Sequence, residues 1–417
     1  IYVEHQDEPG FFVASRAHHA DVGGMSAGSM PLATEIYQEG QIIPPVKWIA
    51  GGEPNRDLQR FLLNNVRTPE ERSEDLSAQV ASLKVGDKRI GDLIERYGFE
   101  EIDNFMHQVM DYSNKLMENE LHEMPNGQYS AVDYLDDDGI SENRVKIACT
   151  ITIQENRATI DFSESGAQVR GSLNAVFAIT YSATVYCFRS LAKTKIPVND
   201  GCFRPLKVIA PEGTVVNAVS PAAVAGGNVE TSQRIVDVVL KALAQVIPDR
   251  VPAASQGTMN NLAIGGTDGD GQSFGYYETL AGGMGARPEK PGISGIHTHM
   301  TNTMNTPIEA LEIAYPFRIR EYRFRNGSGG KKRQRGGDGL IRSMELLTDA
   351  QVTVLSERRK TQPYGLQGGK PGSTGRNIIT AGDQDTEMPS KFNEYLKAGD
   401  VIRIETPGGG GFEAENE

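Results

Sequence analysis

The sequence predicts a mixed α+β protein, and three patterns along its 417 residues support this. Apolar residues recur at helical spacing in the first third, and further on they alternate as in strands of mainly antiparallel sheets, with long helices between. The last quarter is punctuated by glycine pairs, which is typical of short strands joined by turns. We expect four segments: a β/loop remainder of an N-terminal domain (1–56), a helical region (57–124), an α/β substrate domain (125–320) and a glycine-rich β region (321–417).

The first segment carries a histidine motif, Arg16 to Gly24, preceded by the apolar run 11–14. That run predicts a buried strand, so the polar residues fall where a strand ends and a turn begins, a common position for functional side chains. His18, His19 and Asp21 offer nitrogen and oxygen ligands suited to Zn, Mn or Fe. The same residues also suit an ordinary polar turn in which Asp21 caps local amides.

The chain opens inside an apparent strand and without a methionine, so we expect the natural protein to begin earlier.

The second segment predicts three helices. A capping box with proline at the first helical position, Thr68 to Glu71, starts a helix that should run to about Leu83. A short helix is expected over 90–97, stopped by Gly98. A third is expected over 99–123, with an acidic face and an apolar stripe that we interpret as core packing.

In the third segment, alternating residues predict a β-hairpin over 145–162, followed by an apolar helix over 174–192 and a strand over 206–209. The acidic run 136–139 lacks the ligand spacing of a calcium loop and predicts a solvated turn. A glycine pair and polar residues, 225–234, lead into an amphipathic helix. Such a helix start could receive an anion or could simply be capped.

A second histidine group follows in a dense polar run, 295–306. If this run is extended, His297 and His299 share one face and form a pair usable for a metal or for proton transfer. Pro307 should open a helix. Strands are expected over 352–356 and 401–405.

Composition excludes several classes of protein. A net charge of −13 argues against nucleic acid as a partner. The basic run 331–335 predicts a local anion site or an interface patch instead. Three cysteines without C-x-x-C spacing argue against a thiolate metal site or disulfides and favour the cytoplasm. No apolar stretch approaches the ~20 residues of a membrane span, and no phosphate-loop or dinucleotide motif occurs.

Taken together and in order, several motifs resemble the hydantoinase B/oxoprolinase family, which includes B-type hydantoinase subunits, the matching half of 5-oxoprolinases and the large subunit of acetone and acetophenone carboxylases. The resemblance covers nearly the whole chain. It rests on Ser15 to Gly24 with Pro31, Gly226 to Arg234, Gly295 to Asn305 with Pro307 and Glu309, Arg325 to Gly330, Arg335 to Gly339, and the closing glycine run 408–411.

The resemblance implies a hetero-oligomer. An A-type partner subunit with an actin-like fold would bind ATP and activate a small cyclic amide, a hydantoin or 5-oxoproline. This B-type chain would then open the ring at a site assisted by a divalent metal ion (Mn, Zn or Mg). The carboxylase branch also draws metal ligands from a G-T-H-x-P-D-like segment upstream of the histidine motif, and that segment is not in this sequence.

Carried onto this chain, the resemblance and the residue chemistry imply three groups of site residues. The expected metal ligands are His18, with His19 as the alternate, and Asp21 as ligand or supporting carboxylate. The expected catalytic residues are His297, His299 and Glu230. The expected substrate contacts are Asn228, Gln233, Arg234, Asn302 and Asn305.

Two alternatives remain open at this stage: a subunit of an ATP-dependent acetone-type carboxylase, and a non-catalytic scaffold that stabilises the A-type partner.

Overall fold

The computed structural model describes residues 9–413. The first third contains a two-stranded ribbon and three helices: β1 (Ile49–Ala50), β2 (Glu53–Pro54), α1 (Arg56–Leu63), α2 (Pro69–Tyr97) and α3 (Phe99–His122). The predicted start at Pro69 and stop at Gly98 are confirmed, and Gly98 ends α2 with a φ of 83°. The prediction of two separate helices was wrong, because the chain between 83 and 90 holds no proline and its one glycine, Gly86, stays helical.

Helices α2 and α3 are unusually exposed. Arg72 is the one buried residue among the 29 of α2. The apolar stripe of α3 is buried at Ile102 and Met117 but open at Phe105 and Val109, which are 52% and 47% exposed. Core packing was therefore predicted correctly for the ends of the stripe and wrongly for its middle.

A four-stranded sheet comes next, in the order β3-β4-β5-β6: β3 (Gly127–Leu135), β4 (Val145–Gln154), β5 (Arg157–Asp161) and β6 (Leu206–Ile209). The predicted hairpin and the strand 206–209 are confirmed, and β5 and β6 pair in parallel. Two helices, α4 (Phe177–Leu191) and α5 (Ser232–Leu243), pack with this sheet around the first hydrophobic core.

Helix α5 was expected to be amphipathic, but eleven of its twelve residues are buried. It lies between α4 and the strands β3 and β4, so it has no face left for solvent.

Two further sheets form around the second hydrophobic core, in the orders β14-β11-β7-β8 and β13-β12-β15-β10-β9. Strands from both sides of residue 320 pair in the first of them, and β9 itself spans that position. The predicted strands near 352–356 and 401–405 and the helix after Pro307 are confirmed. The elements are β7 (Asn261–Thr267), β8 (Ser273–Thr279), α6 (Ile308–Ala314), β9 (Phe317–Arg325), β10 (Gly339–Leu346), β11 (Ala350–Leu355), β12 (Arg376–Ala381), β13 (Gln384–Met388), β14 (Lys391–Leu396) and β15 (Val401–Glu405).

Two local expectations were wrong. Residues 11–14 are not a strand; Phe11 is buried with its ring 5.2 Å from that of Phe99, whereas Phe12 is 82% exposed. The acidic run 136–138 is not solvated, because all three carboxylates are buried and bonded. Asp136, for example, accepts hydrogen bonds from the backbone amides of residues 359–361.

The closing glycine run 408–411 lies between four other loop segments. It exchanges backbone hydrogen bonds with Ala254, Gly330, Gly337 and Lys370. A Cβ on Gly409 would lie 2.1 Å from the carbonyl oxygen of Met284, and one on Gly410 would lie 2.0 Å from that of Tyr364. The glycines are therefore needed for close approach of backbones.

No helix within residues 9–413 is long and apolar enough to cross a membrane.

Candidate active site

The histidine motif of the first segment forms a tight turn beside α2. The buried carboxylate of Asp21 accepts hydrogen bonds from the backbone amides of Gly23 (2.7 Å) and Arg67 (3.0 Å), and it pairs with the Arg67 guanidinium at 3.4 Å. Nε2 of His19 is 3.1 Å from Oε1 of Gln79, and Nδ1 of His19 is 3.3 Å from Nη1 of Arg72. His18 is exposed.

This arrangement does not fit a metal centre. The Asp21 carboxylate and the His19 imidazole already contact arginine side chains, and the positive charge of these arginines would oppose a bound cation. Among residues 9–413, no group of three or more His, Cys, Asp or Glu side chains is placed to hold a metal ion. The ligand roles expected of His18, His19 and Asp21 stay predictions, and the chemistry proposed for this chain uses its own side chains.

The second histidine group lines a cavity of about 400 Å³. Its wall includes Ala281, Gly295, Ile296, His297, Thr301, Asn302, Thr303, Met304, Asn305 and Tyr322. Both ring nitrogens of His297 are buried and make no hydrogen bond of ordinary geometry in the described chain, although the Asn305 side chain is close enough to favour the protonated ring. Burial lowers the pKa of His297, so its imidazole is neutral near pH 7.

The stretch between these wall residues is a turn, so the condition under which His297 and His299 would share one face is not met. His299 has a φ of 59°, and the backbone amide of Thr301 bonds to the carbonyl of Thr298 at 3.2 Å. Gln233, from α5, holds this turn by donating from Nε2 to the Thr298 carbonyl (3.2 Å) and to the Thr301 hydroxyl (2.9 Å). Tyr186, from α4, touches Nδ1 of His299 at 3.2 Å.

Asn305 anchors the other end of the polar run. Its Nδ2 donates to Glu278 (3.1 Å) and to the carbonyl of Thr279 (2.6 Å), and its Oδ1 accepts from the Tyr322 hydroxyl at 3.2 Å. Asn305 is thus committed to protein contacts, whereas Asn302 is an exposed amide at the cavity wall.

Glu230 and Arg234 lie elsewhere, completely buried. Oε1 of Glu230 accepts hydrogen bonds from Asn261 (2.7 Å) and from the amide of Met259 (3.1 Å). Burial, reinforced by the nearby charge of Glu357, raises the pKa of Glu230 to about 8. Neither Glu230, Arg234 nor the half-buried Asn228 is among the residues that line the 400 Å³ cavity.

Arg234 belongs to a buried ionic network that the sequence did not reveal. Arg358 bonds to Asp133 (2.7 Å) and Asp237 (2.5 Å), and Arg234 pairs with Asp133 (3.1 Å) and Glu357 (3.5 Å). The Arg358 partners belong to the first core region, while Arg358 itself follows β11 of a second-core sheet. One signal was present in the sequence: the charged run 357–360 directly follows an apolar strand.

The helix start at Gly226 and Gly227 offers no room for an anion. A Cβ on Gly227 would lie 2.0 Å from the carbonyl oxygen of Asn174, so backbone closes against this turn. The turn is a π-helix, Gly227–Thr231, that leads into α5. In the basic run 331–335, two side chains are paired within the chain, Lys332 with Glu413 and Arg335 with Asp338.

Comparison with known proteins gives consistent results. A family model described as Hydantoinase B/oxoprolinase matches residues 2–414. An uncharacterized protein of Methanocaldococcus jannaschii is 41% identical over 98% of this chain and 71% of its own length. A 5-oxoprolinase of Dictyostelium discoideum is 37% identical over 98% of this chain, which spans 32% of that protein. A putative B-type subunit of a D-/L-hydantoinase from a Pseudomonas strain is 30% identical over 99% of this chain and 72% of its own length.

Two solved structures have closely similar folds. The ATP-dependent caprolactamase of Pseudomonas jessenii superposes with a TM-score of 0.86, at 26% identity, covering 95% of this chain and 70% of that one. An acetone carboxylase chain superposes with a TM-score of 0.87 at 17% identity, covering 95% of this chain and 60% of its own, and this likeness concerns the fold alone. On the family match and these relatives, the chain belongs to the hydantoinase B/oxoprolinase family.

Proposed function

We propose that this chain forms the ring-opening part of an ATP-dependent hydrolase of cyclic amides, acting on a hydantoin or on a lactam such as 5-oxoproline. The supporting observation is His297, which lines the 400 Å³ cavity and whose two buried ring nitrogens make no hydrogen bond of ordinary geometry within the described chain. Buried polar atoms in proteins are nearly always paired. Such a group beside a cavity suits a ligand that completes the hydrogen bonds.

In this proposal His297 is the general base. Amide resonance makes the ring carbonyl a poor electrophile, so ATP-dependent activation would place a leaving group on the carbonyl oxygen. With phosphate as that group, water attacks the carbonyl carbon and passes a proton to the neutral imidazole of His297. The ring C–N bond then breaks as the ring nitrogen takes this proton from His297, and a second water hydrolyses the remaining acyl phosphate to carboxylate and phosphate. The lowered pKa of His297 keeps the base form present at and below neutral pH.

An A-type partner subunit would bind the ATP, because the sequence carries no phosphate-loop motif. A relative named as a putative B-type hydantoinase subunit is consistent with a two-subunit enzyme. Cytoplasmic location is part of the same proposal, since the three cysteines are free and buried.

The test is ATP-dependent ring opening by the complex reconstituted with an A-type subunit. Replacing His297 with Asn should lower kcat by about 10²- to 10⁴-fold, the usual contribution of a general base. The matched control is His107→Asn on α3, whose exposed ring contacts the backbone carbonyl and the carboxylate of Asp103 one turn earlier. The kcat of this variant should stay within about twofold of the wild-type value, as expected for a substitution at the surface.

Full activity of His297→Asn, with folding checked by thermal unfolding, would reject the catalytic role. A carboxylated product that forms only with bicarbonate would reject the hydrolase proposal and support the carboxylase alternative. If all variants of the turn 297–301 support normal ring opening, the chain acts as a scaffold.

A further inference from the structure

Tyr322 is an aromatic wall residue of the 400 Å³ cavity that also contains His297, and it is 39% exposed. It lies on β9 directly opposite Arg342 on β10. Residues paired in this way place their side chains on the same face of a sheet. The guanidinium carbon of Arg342 accordingly lies over the Tyr322 ring, 4.6 Å from its centre. One face of the ring is therefore covered by protein.

The Tyr322 ring is fixed both at this face and at its tip. Arg342 is 1% exposed, its Nε lies 2.8 Å from Oε1 of Glu278, and its Nη2 donates to the carbonyl of Thr306 at 3.4 Å. At the tip, the Tyr322 hydroxyl donates to Oδ1 of Asn305 at 3.2 Å. Asn305 is itself anchored by the bond from its Nδ2 to Glu278. A ring that is already fixed loses little freedom when a ligand packs against it.

We propose that the uncovered face of Tyr322 is the platform on which the substrate ring stacks, and that it makes the site selective for flat rings, such as a hydantoin, over puckered lactams. The inference rests on the proposed function and names the class of cyclic amide on which this site acts. It gives Tyr322 a role in binding and specificity, separate from the proton transfer assigned to His297.

The preference for flat rings follows from the geometry of contact. Amide groups are planar, and nearly all ring atoms of a hydantoin belong to such groups. The whole ring can therefore lie against an aromatic face at van der Waals distance. In a larger lactam the methylene groups pucker out of the amide plane and hold part of the ring away from the platform. Stacking on an aromatic ring changes affinity by about three- to tenfold.

The direct test is proton NMR of hydantoin bound to the full chain, without ATP. Protons held over an aromatic ring are shifted upfield by its ring current, so the methylene protons of hydantoin should shift upfield on binding to the wild type. The shift should persist in Tyr322→Phe, which keeps the ring and loses the bond to Asn305, and it should disappear in Tyr322→Leu.

Tyr395→Leu is the matched control for this experiment. Tyr395 is also an exposed tyrosine on a strand, β14, with Nζ of Lys397 4.8 Å from its ring centre, but it is not among the residues that line the cavity. The control should leave the hydantoin shift unchanged. No upfield shift with the wild type, or an equal shift with Tyr322→Leu, overturns the proposal.

Selectivity for flat rings is tested with uracil and dihydrouracil, which present the same amide groups in rings of the same size but differ in planarity. The wild type should bind uracil about three- to tenfold more tightly than dihydrouracil, and Tyr322→Leu should bind the two about equally. Equal affinities with the wild type, no binding of either ring, or a preference that survives in Tyr322→Leu would overturn the selectivity.

Thermal unfolding checks that Tyr322→Leu is folded, and the wild-type shift and the wild-type preference decide the proposal if it is not. These binding measurements need neither ATP nor turnover. They can fail while ring opening stands, and they can succeed in a chain that does not open the ring.

Discussion

Glu230 shows how burial alone can set the protonation state of one residue. Its pKa of about 8 means that the carboxyl is largely protonated at neutral pH, although the unfolded chain would ionise it near 4.5. A group whose pKa is raised by folding stabilises the protein fully below its unfolded pKa, and this contribution is lost as pH rises toward its folded pKa. The sensitive window is therefore about pH 4.5 to 8.

We expect Glu230→Gln to remove this pH dependence, because glutamine mimics the neutral acid and keeps an oxygen for Asn261 and Met259. The free energy of unfolding of the variant minus that of the wild type should rise with pH across the window, by up to about 1.4 kcal/mol per pH unit, the value for one proton. Chemical denaturation at several pH values measures this difference.

Glu387→Gln is the control, since Glu387 is an exposed residue paired with Arg376. Its difference from the wild type should change little over the same range. A flat difference for Glu230→Gln as well would show that Glu230 is ionised in the folded protein.

At the residue scale, the sequence identified the right stretch around His297 but not the contacts within it. Gln233 was singled out for its motif, and the structure brings it to Thr298 and Thr301, 65 and 68 positions away. Tyr186 carries no motif at all, because a tyrosine in an apolar helix looks like any core residue. Long-range contacts of this kind are not visible in local spacing.

At the element scale, the turn before α5 depends on a glycine. We expect Gly227→Ala to destabilise the protein by about 2 to 4 kcal/mol, because its Cβ would lie 2.0 Å from backbone that cannot move cheaply. Thermal or chemical unfolding measures the loss.

Gly91→Ala is the matched control within α2, where an added Cβ meets nothing within 4 Å. This change should stabilise the protein by about 0.5 to 1 kcal/mol through helix propensity. Equal effects of the two substitutions would contradict the packing at Gly227.

Helices were predictable where local chemistry starts or stops them, as Pro69 and Gly98 do for α2. Strands were predictable where alternation or an apolar run was clear, as in β4 and β11. Within residues 9–413, the run 11–14 has strand-like residues without a strand partner, and the exposed middle of α3 has core-like residues without a covering element. In both cases the deciding factor is a neighbour, which periodicity does not contain.

At the scale of the whole molecule, Arg358 joins the two core regions. It follows β11 and bonds to Asp133 on β3 and Asp237 on α5. We expect Arg358→Met to lower stability by about 3 to 5 kcal/mol, because two buried carboxylates lose their shared partner. The measurement is the denaturant midpoint of the full chain.

Arg376→Met is the comparison at the surface, where the pair with Glu387 is exposed and should contribute about 0 to 1 kcal/mol. A similar small loss for Arg358→Met would show that the buried network contributes little beyond what a hydrophobic side chain supplies.

The threaded glycine run 408–411 also bears on how the chain is made. Its partners lie in loops near residues 254, 284, 330–337 and 364–370, all of which leave the ribosome earlier. Those loops cannot close around each other until the final glycines arrive, so the slot between them stays open during synthesis. The loops around this run therefore reach their final arrangement only after translation has passed residue 411.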